Sequence, residues 1–158
     1  MVETKEMNDL DDTDKTILNI LQNNGKASLR DIEREIGLST TAIRARLRRL
    51  TENHIIKKYM AIIDCRQLGY REMVIASLRV NSSIPLEQIK RKVEEIEQIK
   101  YAYIVTGEYP IFLMFKCLDH QDAMSLIEKL RNLPGVEEIK TQLVLDRVKE
   151  DHTIIIPD

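Results

Sequence analysis

Ser39-Thr40-Thr41-Ala42-Ile43-Arg44-Ala45-Arg46-Leu47-Arg48-Arg49-Leu50 holds four arginines and no acidic residue, in a chain whose formal net charge is −2. Ile43, Leu47 and Leu50 recur at i, i+4 and i+7, which is a single helical stripe. At about 100° per residue, Thr41, Arg44, Ala45 and Arg48 fall on the opposite half, with Arg46 and Arg49 on the flank. The spacing predicts a helix with one face to bury and another that presents guanidinium forks beside small groups. Taken alone, that pattern also fits a solvated cationic surface helix. Its neighbours decide between the two.

Immediately upstream, Ser28 and Asp31 stand at capping-box spacing, and Leu29, Ile32 and Ile36 form an apolar stripe that Gly37 ends. Leu38 reads as a buried turn residue, and Ser39 caps the arginine helix. Two short helices joined by a glycine-containing turn form a helix-turn-helix, whose second helix enters the DNA major groove. Earlier still, Leu10-Asp11-Asp12-Thr13-Asp14 sets carboxylates ahead of Ile17, Leu18 and Leu21, where they complement a helix N-terminus. This predicts a helix from about Thr13 to Gln22 that stops at Asn23-Asn24-Gly25, with Gly25 as the left-handed cap. The acidic cluster is therefore read as a helix start and not as a metal site.

Charge is distributed in blocks. Residues 1–25 carry two basic and six acidic side chains, residues 26–58 nine and four, and residues 59–158 thirteen and sixteen. A basic island of +5 inside an acidic chain is the electrostatic footprint of a polyanion partner.

Downstream, Ile55 to Ile63 is β-rich and apolar apart from Lys57 and Lys58, and reads as a strand leaving the DNA-binding unit. Asp64 to Arg71 connects that strand to the second half of the chain. From Met73 the apolar period falls to two, with Val74, Ala76, Leu78 and Val80 on one face of a strand. Ser82-Ser83-Ile84-Pro85 opens a helix with Leu86, Ile89, Val93 and Ile96 inward, Pro85 standing in its first turn. Tyr101–Thr106 and Ile111–Cys117 are strands about the turn Gly107-Glu108-Tyr109-Pro110. Asp119 caps a helix with Ala123, Leu126, Ile127, Leu130 and Leu133 inward, ended by Pro134-Gly135, and Val136–Leu145 is a last strand. The order βαββαβ is the ferredoxin-like arrangement, an antiparallel sheet with both helices on one face. Both sheet faces are apolar, however. Tyr101, Tyr103 and Val105 alternate with Ala102, Ile104 and Thr106, and Ile111, Leu113 and Phe115 with Phe112 and Met114, and the helices can cover only one set. This predicts a dimer through the second face, the alternative being cover by linker or tail. The tail's Ile154-Ile155-Ile156 is expected to add an edge strand or to dock on a neighbour.

Composition sets the outer limits. With 43% hydrophobic and 32% charged residues the chain is an ordinary globular protein. No apolar run approaches a membrane span, and the N-terminal Met-Val-Glu-Thr-Lys-Glu-Met-Asn has no apolar signal core, so a cytoplasmic protein without a membrane partner is expected. Cys65 and Cys117 read as packing residues rather than a redox pair. His54, His120 and His152 have no partner at metal-ligand spacing, and neither metal nor cofactor is expected.

The chain resembles the Lrp/AsnC (feast/famine) transcription regulators in both halves. The resemblance rests on Leu10-Asp11-Asp12-Thr13-Asp14-Lys15-Thr16-Ile17-Leu18, on Gly37-Leu38-Ser39 with the arginine helix, and on Ile56-Lys57-Lys58-Tyr59-Met60-Ala61. Val105-Thr106-Gly107-Glu108-Tyr109 and Leu133-Pro134-Gly135-Val136 continue it, so that it covers residues 9 to 149 in order. It implies an N-terminal helix-turn-helix, a ferredoxin-like effector and assembly domain, dimers that join as tetramers or octamers, and control by a small molecule, usually an amino acid. It marks Thr106, Gly107, Glu108 and Tyr109, with Thr141 on the facing strand, as effector-binding. The chain departs from the family pattern at Pro110, where Asp is frequent, at Ile139, where Thr is common, and at His54, where Gly is usual.

The expectation is thus an α+β protein. A disordered N-terminus occupies 1–8, a three-helix, winged-helix-like helix-turn-helix domain 9–54, and a strand and linker 55–71. The ferredoxin-like domain fills 72–147 and a tail 148–158. Its expected function is sequence-specific binding of double-stranded DNA. Arg44 and Arg48 are assigned to base edges, Thr40 and Thr41 to phosphate or thymine methyl, and Arg46, Arg49 and Lys57 to the backbone, with Ser39 and Ala45 completing the surface. Two other functions fit the same fold, an effector-independent architectural DNA-binding protein and a tetrapyrrole decarboxylase, which the family resembles in build. No catalytic cluster is assigned.

Overall fold

Local signals at the helix ends account for most of the first unit. The structure, a computed structural model, describes residues 10–157, so the expectation for residues 1–8 lies outside the described residues. The chain divides into two units, Met1–Ile62 with Glu150–Asp158, and Ile63–Lys149.

In the first unit, α1 (Asp12–Asn23), α2 (Leu29–Ile36) and α3 (Thr40–Glu52) follow one another. Asp11 caps α1 by accepting the Asp14 amide. Ser28 and Asp31 form the full reciprocal capping box on α2, and Gly37 ends that helix at φ +72°. Ser39 caps α3 through the Ala42 amide. The stop of α1 differs from expectation. Asn24 is the cap residue, its carboxamide accepting the Lys26 amide, and Gly25 is not in the left-handed region. An Asx-type bond closes the turn in its place.

Ile17, Ile32, Ile43 and Leu50 are fully buried at the centre of the three helices, with Leu18, Leu21, Leu29, Ile36, Leu38 and Leu47 around them. Burying such side chains stabilises by about 1.5–3 kcal/mol each, a small total for a unit of this size. The chain leaves α3 through His54, which sits at φ +59°. The amides of Ile55 and Ile56 both bond to the Leu50 carbonyl, and their side chains close the core. His54 thus carries a Cβ in the left-handed region, which costs about 1–2 kcal/mol. His54→Gly is accordingly expected to raise stability by about 1 kcal/mol in urea denaturation.

The expected exit strand over Ile55–Ile63 is not formed. Residues 57–64 have no regular structure and are exposed, Tyr59, Met60, Ile62 and Ile63 among them. A strand requires a paired neighbour, and none of the described strands pairs with it. A 3₁₀ turn at Cys65–Leu68 follows, closed by Gly69 at φ +88°.

The second unit contains β1 (Glu72–Val80), α4 (Leu86–Glu94), β2 (Ile99–Ile104), β3 (Ile111–Cys117), α5 (His120–Arg131) and β4 (Val136–Leu143). The strand order is β2-β3-β1-β4, antiparallel throughout, as ferredoxin-like topology requires. Pro85 is the cap residue of α4 and not part of its first turn. Val74, Ala76 and Leu78 from β1 join Ile111, Leu113, Phe115 and Cys117 from β3 on the face under α4 and α5. Burial there, together with nearby carboxylates, pushes the Cys117 thiol up to about 11, in keeping with a packing role. Gly135 at φ +89° brings its backbone against Ile84, where a Cβ would lie 2.9 Å from a methyl carbon.

Candidate nucleic-acid interface

The faces of α3 separate as their spacing requires. Ile43 and Leu50 are buried, Leu47 is half-buried, and Thr41, Arg44, Ala45 and Arg48 are exposed together with Ser39. Thr40 is half-buried. Arg48 makes an exposed 3.8 Å ion pair with Glu52, one turn on, which is worth well under about 1 kcal/mol and yields easily to another anion. Among the described residues, Arg44 makes no ion pair. The outward face thus presents two guanidinium groups without strong internal partners.

Arg46 and Arg49 are placed differently. Asp14, expected to serve the N-terminus of α1, is 0% exposed and receives both guanidinium groups. Arg46 Nη1 donates to Asp14 Oδ1 at 2.9 Å and to Asp11 Oδ2 at 2.6 Å, and Arg49 Nη2 donates to Asp14 Oδ2. With 27% of its side chain exposed, Arg46 is a tie between α1 and α3. Arg46, assigned to the DNA backbone from the sequence, is here held by Asp11 and Asp14. The arginine lies on the flank that α1 covers, where a buried carboxylate needs a cation. Arg49 keeps 51% of its side chain exposed and can face solvent while bonded. Lys57 is exposed on the segment after α3.

The Arg46 hydrogen bond, with the Asp14 amide, holds the Asp11 carboxyl below its ordinary value. The Ser28 hydroxyl and amide do the same for Asp31. A carboxyl depressed in the folded state contributes stability above its unfolded pKa, near 4, and loses it as pH falls through the lower folded value. The helical unit is therefore expected to melt at progressively lower temperature below about pH 4 and to show little change between pH 5 and 7, as followed by circular dichroism.

In the second unit the β2–β3 turn holds Thr106, Gly107, Glu108 and Tyr109, with Gly107 at φ +117°. Pro110 lacks an amide, but its carbonyl accepts the Val105 N–H at 2.9 Å and closes the hairpin. Glu108 Oε1 accepts Arg79 Nη1 at 3.2 Å, and Arg79 also pairs with Glu138 at 2.9 Å. Lys140 Nζ stands 3.9 Å over the Tyr109 ring, and the interaction with Tyr109 raises the lysine's pKa. The β4 residue that faces the loop is thus Lys140, opposite Ser77 on the open face. Thr141 lies opposite Ala76, on the helix side of the sheet, and does not meet the loop of its own chain. Ile139 lies opposite Leu78 and packs on the core, so its departure from the family pattern does not alter the loop's polar surroundings. Arg79 and Lys140 were missed because each belongs to a strand distant in sequence, and only register places them at the turn.

Among the described residues, no cluster of His, Cys, Asp and Glu could hold a metal, and no helix is long and apolar enough to cross a membrane.

A three-helix unit that presents bare arginines on its last helix, joined to a ferredoxin-like unit, has the build of a helix-turn-helix DNA-binding regulator. Residues 10–51 match the family model of the AsnC-type helix-turn-helix domain, and residues 73–154 that of the Lrp/AsnC ligand binding domain. The chain belongs to the Lrp/AsnC family of transcriptional regulators. It is 33% identical to the HTH-type transcriptional regulator FL11 of Pyrococcus horikoshii, over 89% of this chain and 93% of that protein. It is 31% identical to the leucine-responsive regulatory protein of Escherichia coli K12, over 99% and 98% of the two. In fold it is similar to a transcriptional regulator of Neisseria meningitidis solved in complex with L-methionine, with a TM-score of 0.87 at 21% identity over 92% of this chain and 96% of that one. Escherichia coli AsnC gives 0.84 at 24% identity, over 92% and 97%. The relatives are named as regulators and not as enzymes.

Proposed function

We propose that the chain binds operator DNA as a dimer, reading bases with Arg44 and Arg48, and that an α-amino acid at the Glu108–Tyr109 loop modulates this binding. The observation that carries the DNA assignment is the outward face of α3, where Arg44, Ala45 and Arg48 lie exposed while Arg46 is held inward by Asp14. Thr41, and Thr40 beside it, contact phosphate or thymine methyl. The Ser39 region, Arg49 and Lys57 contribute backbone contacts. Pairing two such units about one DNA turn apart favours a pseudo-palindromic site.

Support for the dimer comes from the open sheet face. Tyr101 stacks on Tyr103 at 6.5 Å, and Tyr103 meets Phe112 at 6.4 Å. Tyr103 is 53% exposed, and the register sets Met114 beside Tyr101. An aromatic surface of this kind is buried most simply against its own copy. Tyr103→Ala is expected to weaken the dimer about tenfold in sedimentation equilibrium, and an unchanged association constant would place the interface elsewhere. Assembly into tetramers or octamers, in the cytoplasm where the DNA lies, belongs to the same proposal.

For the effector, the loop offers a carboxylate, two cations and a ring, groups that complement the ammonium and carboxylate of an amino acid. Gel shift and oligomer size measured with each of the twenty amino acids test this. The expected result is a change with one or a few of them. No change with any would favour the architectural, effector-independent function.

A further inference from the structure

The C-terminal segment does not stay with the sheet. Its residues from Glu150 onward group with the three helices, whereas Lys149 and the residues before it group with the sheet. The contact that holds it is specific. Gln22, on α1, accepts the Ile154 amide through Oε1 at 2.7 Å and donates through Nε2 to the Ile154 carbonyl at 3.2 Å. A carboxamide that satisfies both backbone groups of one extended residue does what a neighbouring strand would do. The approach is shaped locally, because Asp151 Oδ1 accepts both the amide and the hydroxyl of Thr153 at 2.9 Å. Beyond the clasp, Ile156 is half-buried, while Ile155 is 96% exposed.

An apolar run such as Ile154-Ile155-Ile156 suggests an added strand or docking through its side chains. Here the polar backbone of Ile154 makes the specific contact. α1 is also the helix whose Asp14, with Asp11 at its cap, holds Arg46 and Arg49 of α3. A segment seated on α1 is therefore one rigid element away from the reading helix.

We infer that residues 151–157 form a strap, seated on α1 by the Gln22 carboxamide, which gives the DNA-reading unit a second attachment to the sheet domain and so restrains the orientation of α3. A second attachment narrows the orientations open to the reading unit, and ordering it before binding lowers the entropy lost when two reading helices engage two half-sites. The functional part of the inference rests on the DNA-binding proposal, whereas the strap itself does not.

Amide hydrogen exchange in the full-length chain tests the strap directly. The Ile154 amide is expected to exchange about tenfold faster in Gln22→Ala than in the wild type. The Thr153 amide, bonded within its own turn, stays unchanged and serves as the internal reference. Equal Ile154 rates in the two proteins would overturn the strap. The functional arm compares the wild type with a chain ending at Asp151 on DNA sites whose half-site spacing is altered by half a turn. The wild type is expected to lose at least about tenfold in affinity, and the shortened chain less than about threefold. The same spacing dependence in both would overturn the restraint on α3. Absence of DNA binding by the wild type would instead overturn the DNA-binding proposal, with the exchange result still deciding the strap.

Discussion

Asp14→Ala is expected to destabilise the helical unit by about 2–3 kcal/mol, the scale of charge-assisted hydrogen bonds lost from a buried site. The Asp14 side chain is fully buried and accepts from both Arg46 and Arg49, and the substitution removes both bonds, although Arg46 keeps Asp11 and Arg49 can turn to solvent. That loss is a large share of the stability of a core built on four fully buried aliphatic side chains. Asp14→Asn keeps the volume and removes the charge, so it should destabilise less than alanine yet still by more than a surface substitution. Urea denaturation followed by helical circular dichroism reads both. A loss below about 1 kcal/mol for alanine would mean that Arg46 is a solvated cation after all, and its place in the DNA contact would have to be restored.

The second large effect falls on binding. Arg44→Ala and Arg48→Ala are each expected to remove about 1–3 kcal/mol of discrimination at a cognate site, the worth of a bidentate arginine–guanine pair. Together, if the losses add, they should lower cognate affinity by about 30-fold to 20,000-fold while changing bulk-DNA affinity far less. Arg46→Ala makes the instructive contrast. Because Arg46 is tied to Asp11 and Asp14, its loss should lower stability more than it lowers the salt dependence of binding. Fluorescence anisotropy with cognate and random duplexes separates the three variants. An equal loss on both duplexes for Arg48→Ala would make it a phosphate contact.

The cap residues explain why so much of the fold was legible. Ser28 with Asp31, Gly37, Ser39 and Asp119 each act on a neighbour three or four residues away, so the signal lies within a single window of sequence. The β strands were legible by alternation, and βαββαβ order then left few topologies. What escaped the reading depends on distance in the chain. Asp14 looked like any acid at a helix start because its partners lie 32 and 35 residues away. Lys140 and Arg79 reach the turn only through strand register, and one step along β4 sends the Thr141 side chain to the other face. The apolar run from Ile55 to Ile63 has strand composition, but composition does not supply a pairing partner.

The same separation holds for function. The proposal for Arg44 and Arg48 rests on periodicity together with the core beneath them. The loop proposed for the effector was marked by resemblance, and its surroundings come only from Arg79, Glu138 and Lys140 in three dimensions. The loop's internal pairing also means that an amino acid binding there must exchange partners with Arg79 or Lys140. Effector binding would then alter how the turn is held against β1 and β4.

If the outward face of α3 reads guanines in the major groove, it does so in pairs one helical turn apart. Methylation interference on a DNA site selected by the protein from random sequence tests this, since N7-methylguanine blocks the groove edge to which an arginine fork bonds. The predicted result is interference at guanines in two half-sites about 10 base pairs apart, with that interference lost in Arg44→Ala and Arg48→Ala. Interference spread evenly along the duplex, or a pattern that both substitutions leave unchanged, would contradict it.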